Sequence, residues 1–397
     1  MIKHLLKLVW NRKRANALIV AEIFISFLVI FAVLTGVVSL VSSWREPIGF
    51  QWQNVWDVSM DFDIDRGEQA SEQLNATVLR MLAETRAMPQ VAAAGLSNTP
   101  PYSFSTAAGT WMINGKDVQL IFDDVDDGFA EVMGIKVLRG RWFNAADDPA
   151  QHQPIVVDTN TAVALFGDVD AVGKKYEEDD GVFLQVVGVI APYRKDGEVS
   201  EPMNMMFRRT SPTARYGRLG SHLMVRVHPG TPPQFEEELA DRLTKIAGTT
   251  TTFRVRHMDQ MRMNMLRLKL APVIAGGVIG LFLIAMVALG LTGVLWQNVT
   301  RRTREIGLRR AMGASGKNVN RQILVEVVLL ATIAVLIGTL IILQLPVLGA
   351  FTVVSPASFT LGLLGALATI YGLTVLCGLY PSWLASRLTP AEALRYE

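Results

Sequence analysis

Residues 300–315 read TRRTREIGLRRAMGAS, six charges in sixteen residues. On either side the chain turns apolar. Ala271 to Thr300 holds no Asp, Glu, Lys or Arg, and neither do the sixty residues from Val327 to Ser386. A basic, glycine-punctuated segment between two such blocks predicts a link between membrane-crossing helices, because about 20 mainly apolar residues in a helix cross ~30 Å of hydrocarbon. The composition of the 397-residue chain agrees: half of it is hydrophobic and only 19% is charged, unlike a soluble protein.

Working outward, the sixty-residue block is too long for one helix. It breaks at Gln344-Leu345-Pro346 and at Ser355-Pro356, where proline cannot continue a helix. Ile23 to Val41 is also uncharged. This run is too long for a signal-peptide core and no clean cleavage site closes it, so it is expected to stay as a span. Four spans follow, at 17–43, 271–299, 322–345 and 357–380. Glu22 and Glu326 lie a few residues inside these blocks, close enough to their ends to read as interfacial groups rather than a proton relay.

A net charge of +2 hides a strong asymmetry. Five basic residues precede residue 15, seven lie from Arg301 to Arg321 and two follow Ser386, whereas Arg45 to Lys269 holds 24 basic and 31 acidic residues. Short loops rich in Lys and Arg stay cytoplasmic. The basic N-terminus (1–16), the charged segment (300–321) and the C-terminus (381–397) are therefore expected inside. The large region 44–256, the segment 257–270 and the loop 346–356 are expected outside. The one cysteine, Cys377, excludes a disulfide framework or a cysteine zinc site.

The large region predicts an α/β or α+β domain. Leu74, Val78, Leu79 and Leu82 recur at helical spacing, as do Phe235, Leu239, Leu243 and Ile246 after Pro232-Pro233. The runs Pro154–Val157, Phe183–Ile190 and Leu223–Val227 read as strands, with the turn EEDDG at 177–181 leading into the second. Ligand chemistry is weakly signalled. Asp123, Asp124, Asp126, Asp127 and Gly128 suggest a calcium loop, but Val125 and Gly134 occupy positions that need oxygen ligands. A solvated acidic turn is expected instead. His152, His222, His228 and His257 show no metal-ligand spacing, and neither G-x-S-x-G nor H-E-x-x-H occurs. No catalytic residue, no metal and no nucleic-acid partner is expected.

Residues 257–270 run straight into the second span. Met258, Met261, Met265 and Leu268 fall at spacings of 3, 4 and 3, a seam suited to packing against another helix. Such a helix reads as a stalk joining the span to the outer domain; the plainer alternative is a helix packed on its own domain.

Topogenic charge explains the arginines of the opening segment. It leaves unexplained Ile306, Leu308, Ala311 and Met312, which give a helical turn something apolar to bury. It also leaves Gly307, Gly313 and Gly316, which let backbone approach closely or end a helix. The segment is suited to docking a cytoplasmic protein.

Thr303–Ala314 (TREIGLRRAMGA) resembles the signature of the MacB/FtsX-like permeases of ABC transporters, the mechanotransmission or type VII class. Pro381–Arg395 (PSWLASRLTPAEALR) is similar to a second family signature. Phe129–Arg141 (FAEVMGIKVLRGR), with Ala164–Gly167 and Val172–Lys174, resembles a third. The resemblance implies four transmembrane α-helices with a large extracytoplasmic domain between the first two, in a bacterial inner membrane, and pairing with a second permease copy or paralogue. It implies that Arg304, Glu305, Ile306, Gly307, Leu308, Arg309, Arg310, Ala311, Met312, Gly313 and Ala314 form the element received by a cytoplasmic ABC ATPase. Glu305, Arg309 and Arg310 would make charged contacts, and Ile306 and Met312 would pack.

The sequence contains no phosphate loop. Its nearest approach, Gly316-Lys317, is followed by Asn318 and has Ala311 where the first glycine belongs. The chain is thus expected to bind no cofactor itself, with ATP and Mg on the partner ATPase. Besides membrane lipid, a periplasmic adaptor and an outer-membrane channel are the further partners the family offers. Efflux of drugs, peptides or other periplasmic substrates is the expected role, and an FtsX-like transducer controlling a periplasmic partner is the alternative.

Overall fold

The computed structural model describes residues 13–62, 68–113, 116–150, 152–177, 183–200, 203–210, 219–248, 251–301, 316–346, 348 and 354–387. The chain divides into two compact units, one of Met1–Ser42 with Leu270–Glu397 and one of Ser43–Lys269.

In the first unit, four helices among the described residues are long and apolar enough to cross a membrane. They are α1 (Lys13–Trp44), α6 (Met258–Arg301), α7 (Gly316–Gln344) and α8 (Pro356–Arg387). α1 meets all three others through their glycines. A methyl group at Gly338 of α7 would lie 2.5 Å from Phe27 Cδ1, one at Gly365 of α8 3.0 Å from Leu34 Cδ1, and one at Gly276 of α6 3.1 Å from Val33 Cγ2. Small residues let helices approach closely where lipid removes the hydrophobic drive for association. Glu22 faces Gly290 of α6 in the same way. Ile23, Phe27, Ile30 and Phe31 are buried at this junction with Val287, Leu291, Ala331 and Ala334.

The two units divide at Lys269/Leu270, within a helix. Stalk and second span are one helix from Met258 to Arg301, with Pro272 inside it.

In the second unit the described residues form an eleven-stranded mixed sheet. Its strands are β1 (Val55–Phe62), β2 (Val91–Ser97), β3 (Ala107–Ile113), β4 (Lys116–Val125), β5 (Val137–Gly140), β6 (Gln153–Asp158), β7 (Lys175–Glu177), β8 (Phe183–Ile190), β9 (Met205–Arg209), β10 (His222–Val227) and β11 (Thr251–His257). The order is β11-β1-β10-β2-β4-β9-β6-β8-β5, with β3 on β4 and β7 on β8. β4–β9 and β6–β8 are parallel and the other pairs antiparallel. The sheet narrows between β2 and β4, which share the single pair Ser97↔Val125.

Alternation along the strands makes two faces. Trp56, Val58 and Met60 of β1 point to a core covered by α2 (Glu68–Arg86) and α5 (Phe235–Ala247). α5 buries Phe235, Leu239 and Leu243, and its first turn carries Glu236, Glu237 and Glu238 where the helix dipole favours anions. In α2 the buried positions are Val78, Met81 and Leu82, whereas Leu79 is exposed. The expected spacing thus had one member off the buried face. α4 (Thr159–Phe166) flanks β6 and contributes Ala162 to the core formed by Ile155, Val157, Leu184 and Met206.

On the opposite face one core crosses the narrowing. Val55, Ala93 and Met224 from one half join Val125, Val156, Met205 and Phe207 from the other, with Phe129, Val132 and Met133 of α3 (Phe129–Met133). α3 ends at Gly134 in the left-handed conformation (φ 59), where a side chain would meet Gln51. This core welds the two halves of the sheet.

Candidate coupling site

Arg304, Glu305, Ile306, Gly307, Leu308, Arg309, Arg310, Ala311, Met312, Gly313 and Ala314 lie outside the described residues. They fall in sequence between α6, which ends at Arg301, and α7, which starts at Gly316.

Of the stalk residues, Met258, Met261 and Met265 are buried in the core that welds the sheet. Leu268 is 56% exposed and takes no part. The seam therefore packs on its own domain rather than on another helix. Three methionines suit that place, because their unbranched side chains fill gaps among rings such as Phe129, Phe143 and Phe207.

The polar side of the same helix stretch carries contacts that spacing did not reveal. Arg262 Nε donates to Glu198 Oε1 at 2.7 Å, and its guanidinium lies 4.7 Å from the Trp52 ring centroid and 5.8 Å from that of Trp44. Lys269 Nζ donates to Asp196 Oδ2 at 3.2 Å. Both acids belong to the loop after β8, whose Arg194 is 1% exposed. Arg194 NH1 donates to Ser43 O at 2.6 Å, its Nε donates to Ser200 O at 2.8 Å and its NH2 donates to Glu198 O at 3.0 Å. Beside it, burial lowers the Lys195 ammonium below its ordinary range. Burial, then the Glu198 charge, pushes the Tyr102 phenol well above its own.

The acidic run is not a solvated turn. Asp123 and Asp126 are buried where β2–β4 pairing gives out, and they take over the donors that the sheet leaves there. Asp123 accepts from Ser97 Oγ at 2.6 Å and from the Asn98 and Thr99 amides at 2.9 Å each. Asp126 accepts from the Leu96 amide at 2.8 Å and pairs with Arg86 at 3.0 Å. Burial raises both carboxyls, against the pull of these hydrogen bonds. Asp124 and Asp127 pair with Arg208 and Arg209, each at 2.7 Å. Every one of the four carboxylates is thus engaged by protein donors. Asp57, fully buried, is met by His222 Nδ1 at 2.7 Å and Arg256 NH2 at 2.6 Å. No group of His, Cys, Asp and Glu among the described residues is arranged to hold a metal ion.

Two family models match the chain: the MacB-like periplasmic core domain over residues 17–242 and the FtsX-like permease C-terminal region over 277–390. The chain belongs to the MacB/FtsX-like permease family. It is 29% identical over 303 residues to the macrolide export ATP-binding/permease protein MacB of Bordetella avium, covering 74% of this chain and 45% of that one. It is 31% identical over 281 residues to MacB 1/2 of Paracoccus denitrificans, also named for macrolide export, covering 68% and 41%. The permease chain thus spans less than half the length of these relatives. The periplasmic region of MacB from Actinobacillus actinomycetemcomitans is also similar, with a TM-score of 0.38, 15% identity, and coverage of 56% of this chain and 97% of that one. Four apolar helices with a sheet-rich domain between the first and second match this family, and they fit a multi-pass protein of the inner membrane.

The family motif FAEVMGIKVLRGR maps onto α3, its Gly134 cap and β5, and ends at Arg141, paired with Asp147.

Proposed function

We propose that this permease chain couples ATP hydrolysis on a separate ABC ATPase subunit to motion of its MacB-like domain, driving efflux of a periplasmic substrate. The observation that carries this reading is the single helix Met258–Arg301. Its first turns are embedded through Met258, Met261 and Met265 in the domain's central core, and its last residue abuts the charged segment. A helix held at one end by a close-packed core transmits displacement instead of absorbing it.

In this reading residues 304–314 are the surface the ATPase grips, and ATP-driven closure of two ATPase subunits displaces that surface in a pair of permeases. N- and C-termini are cytoplasmic, and the MacB-like domain is periplasmic. The test is co-purification after charge reversal. Arg309→Glu with Arg310→Glu is expected to abolish ATPase binding and leave membrane insertion intact, whereas undiminished binding removes the coupling role.

The match to the FtsX-like model favours a second reading, a transducer that uses the same motion to control a periplasmic partner without transport. Co-purification of a periplasmic hydrolase selects it. Co-purification of an adaptor and outer-membrane channel selects efflux.

A further inference from the structure

The domain Ser43–Lys269 is joined to the rest of the chain at two points, the end of α1 and the start of α6, and one loop holds both. We propose that residues 193–200 form a yoke that locks these two connections together, so that neither moves without the other. The yoke is a property of the domain itself; only its use as part of a motor rests on the function proposed above.

On the α1 side, Arg194 serves as a cap. A helix leaves its last carbonyls without partners, and a cation beside them is favoured by the helix dipole. α1 ends at Trp44, and the buried Arg194 guanidinium donates to Ser43 O at 2.6 Å and reaches Glu46 O at 3.4 Å. The Arg194 amide donates to Ile48 O at 2.9 Å, extending the grip along the connector.

On the α6 side, Glu198 and Asp196 hold Arg262 and Lys269. These partners are two turns apart on one helix, so the loop binds a length of α6 rather than one point. Arg262 also lies over Trp44, the last residue of α1.

The loop's shape is fixed from behind. Gly197 has a positive φ of 82°, and any side chain there would strike the Tyr102 ring. Tyr102 is itself held in the left-handed region (φ 59) and donates its amide to Lys195 O at 2.9 Å. A non-glycine residue keeps such a conformation only where its surroundings over-determine it. Lys195 Nζ completes the brace by donating to Ser103 O at 3.0 Å and Ser105 O at 2.5 Å. Connector, loop and stalk are thus tied by buried and part-buried hydrogen bonds contributed from segments far apart in sequence.

Hydrogen exchange on the full chain in lipid nanodiscs tests this without any ATPase. Gly197→Ala is expected to raise exchange about tenfold in both 43–50 and 258–269, a loss equivalent to one charge-assisted hydrogen bond. Exchange in β10 serves as the control for global unfolding and stays unchanged. A milder variant, Lys269→Gln, keeps the test valid if Gly197→Ala does not fold. It is expected to raise exchange about twofold in 43–50, which Lys269 does not bond, as for a weak surface pair. Loosening of only one of the two segments overturns the yoke. Failure of the wild type to bind an ATPase removes the motor instead and leaves the exchange result standing.

Discussion

In the MacB-like domain, Asp57, Asp123, Asp126, Asp158 and Arg194 are buried, and each is met by named protein donors or acceptors. In the transmembrane unit glycines of α6, α7 and α8 instead face side chains of α1, and Gly378 of α8 faces Leu324 of α7. Different solvents produce the difference. Water drives apolar surface inward strongly enough to carry buried charges along, provided they are paired. Lipid supplies no such drive, so the helices hold by shape.

The largest test of this contrast is Gly362→Val. The new Cβ would lie 2.8 Å from Thr35 Cα, a backbone atom that cannot swing aside. About 3 kcal/mol of stability is expected to be lost by overpacking, read as a lower midpoint of unfolding in mixed SDS micelles. An unchanged midpoint would break the claim that shape holds the bundle.

A somewhat smaller effect is expected inside the MacB-like domain. Met261→Ala removes a side chain from the welding core and should cost about 2–3 kcal/mol, measured by denaturant titration of tryptophan fluorescence. Leu268→Ala, two turns on and 56% exposed, is expected to change stability by under about 0.5 kcal/mol. Equal effects at the two positions would restore the stalk as a uniform helical seam.

The smallest test concerns a buried charge. Asp158 accepts from the amides of Thr161, Met205 and Tyr193, yet burial outweighs these bonds and raises its carboxyl to about 6. A carboxyl raised in the folded state binds protons more tightly there than in the unfolded chain. Stability from this group therefore rises as pH falls from about 6 towards 4, by at most about 1.4 kcal/mol per pH unit. Asp158→Asn keeps an acceptor for Thr161 and is expected to flatten that slope, as seen in denaturation midpoints from pH 4 to 7. An unaltered slope would mean that Asp158 does not titrate in this range.

Several elements were legible because their signals are local. Phe183–Ile190 is apolar and rich in β-branched residues, and it is a strand over that same range. Phe235, Leu239 and Leu243 repeat every four residues, and all three are buried on α5. The acidic run was misread for the opposite reason. Nothing near Asp123 in sequence announces that Ser97, Asn98 and Thr99 would arrive to solvate it, 24–26 residues away. Met258, Met261 and Met265 were recognised as a seam, but spacing could not tell a partner helix from the core of their own domain. Arg262 and Glu198, 64 residues apart, carried no signal at all.

The sequence by itself determined the four spans, the domain inserted after the first, and the family. Runs of apolar residues, clusters of arginine and short motifs are read along the chain and need no partner. Only the tertiary structure decided which charges are buried and that one core welds the sheet across its narrowing. It also decided that Arg194 caps α1 while its neighbours hold α6. A charge is buried only when its partner is delivered by folding, and that partner stands as far away as Ser43 does from Arg194, 151 residues along the chain.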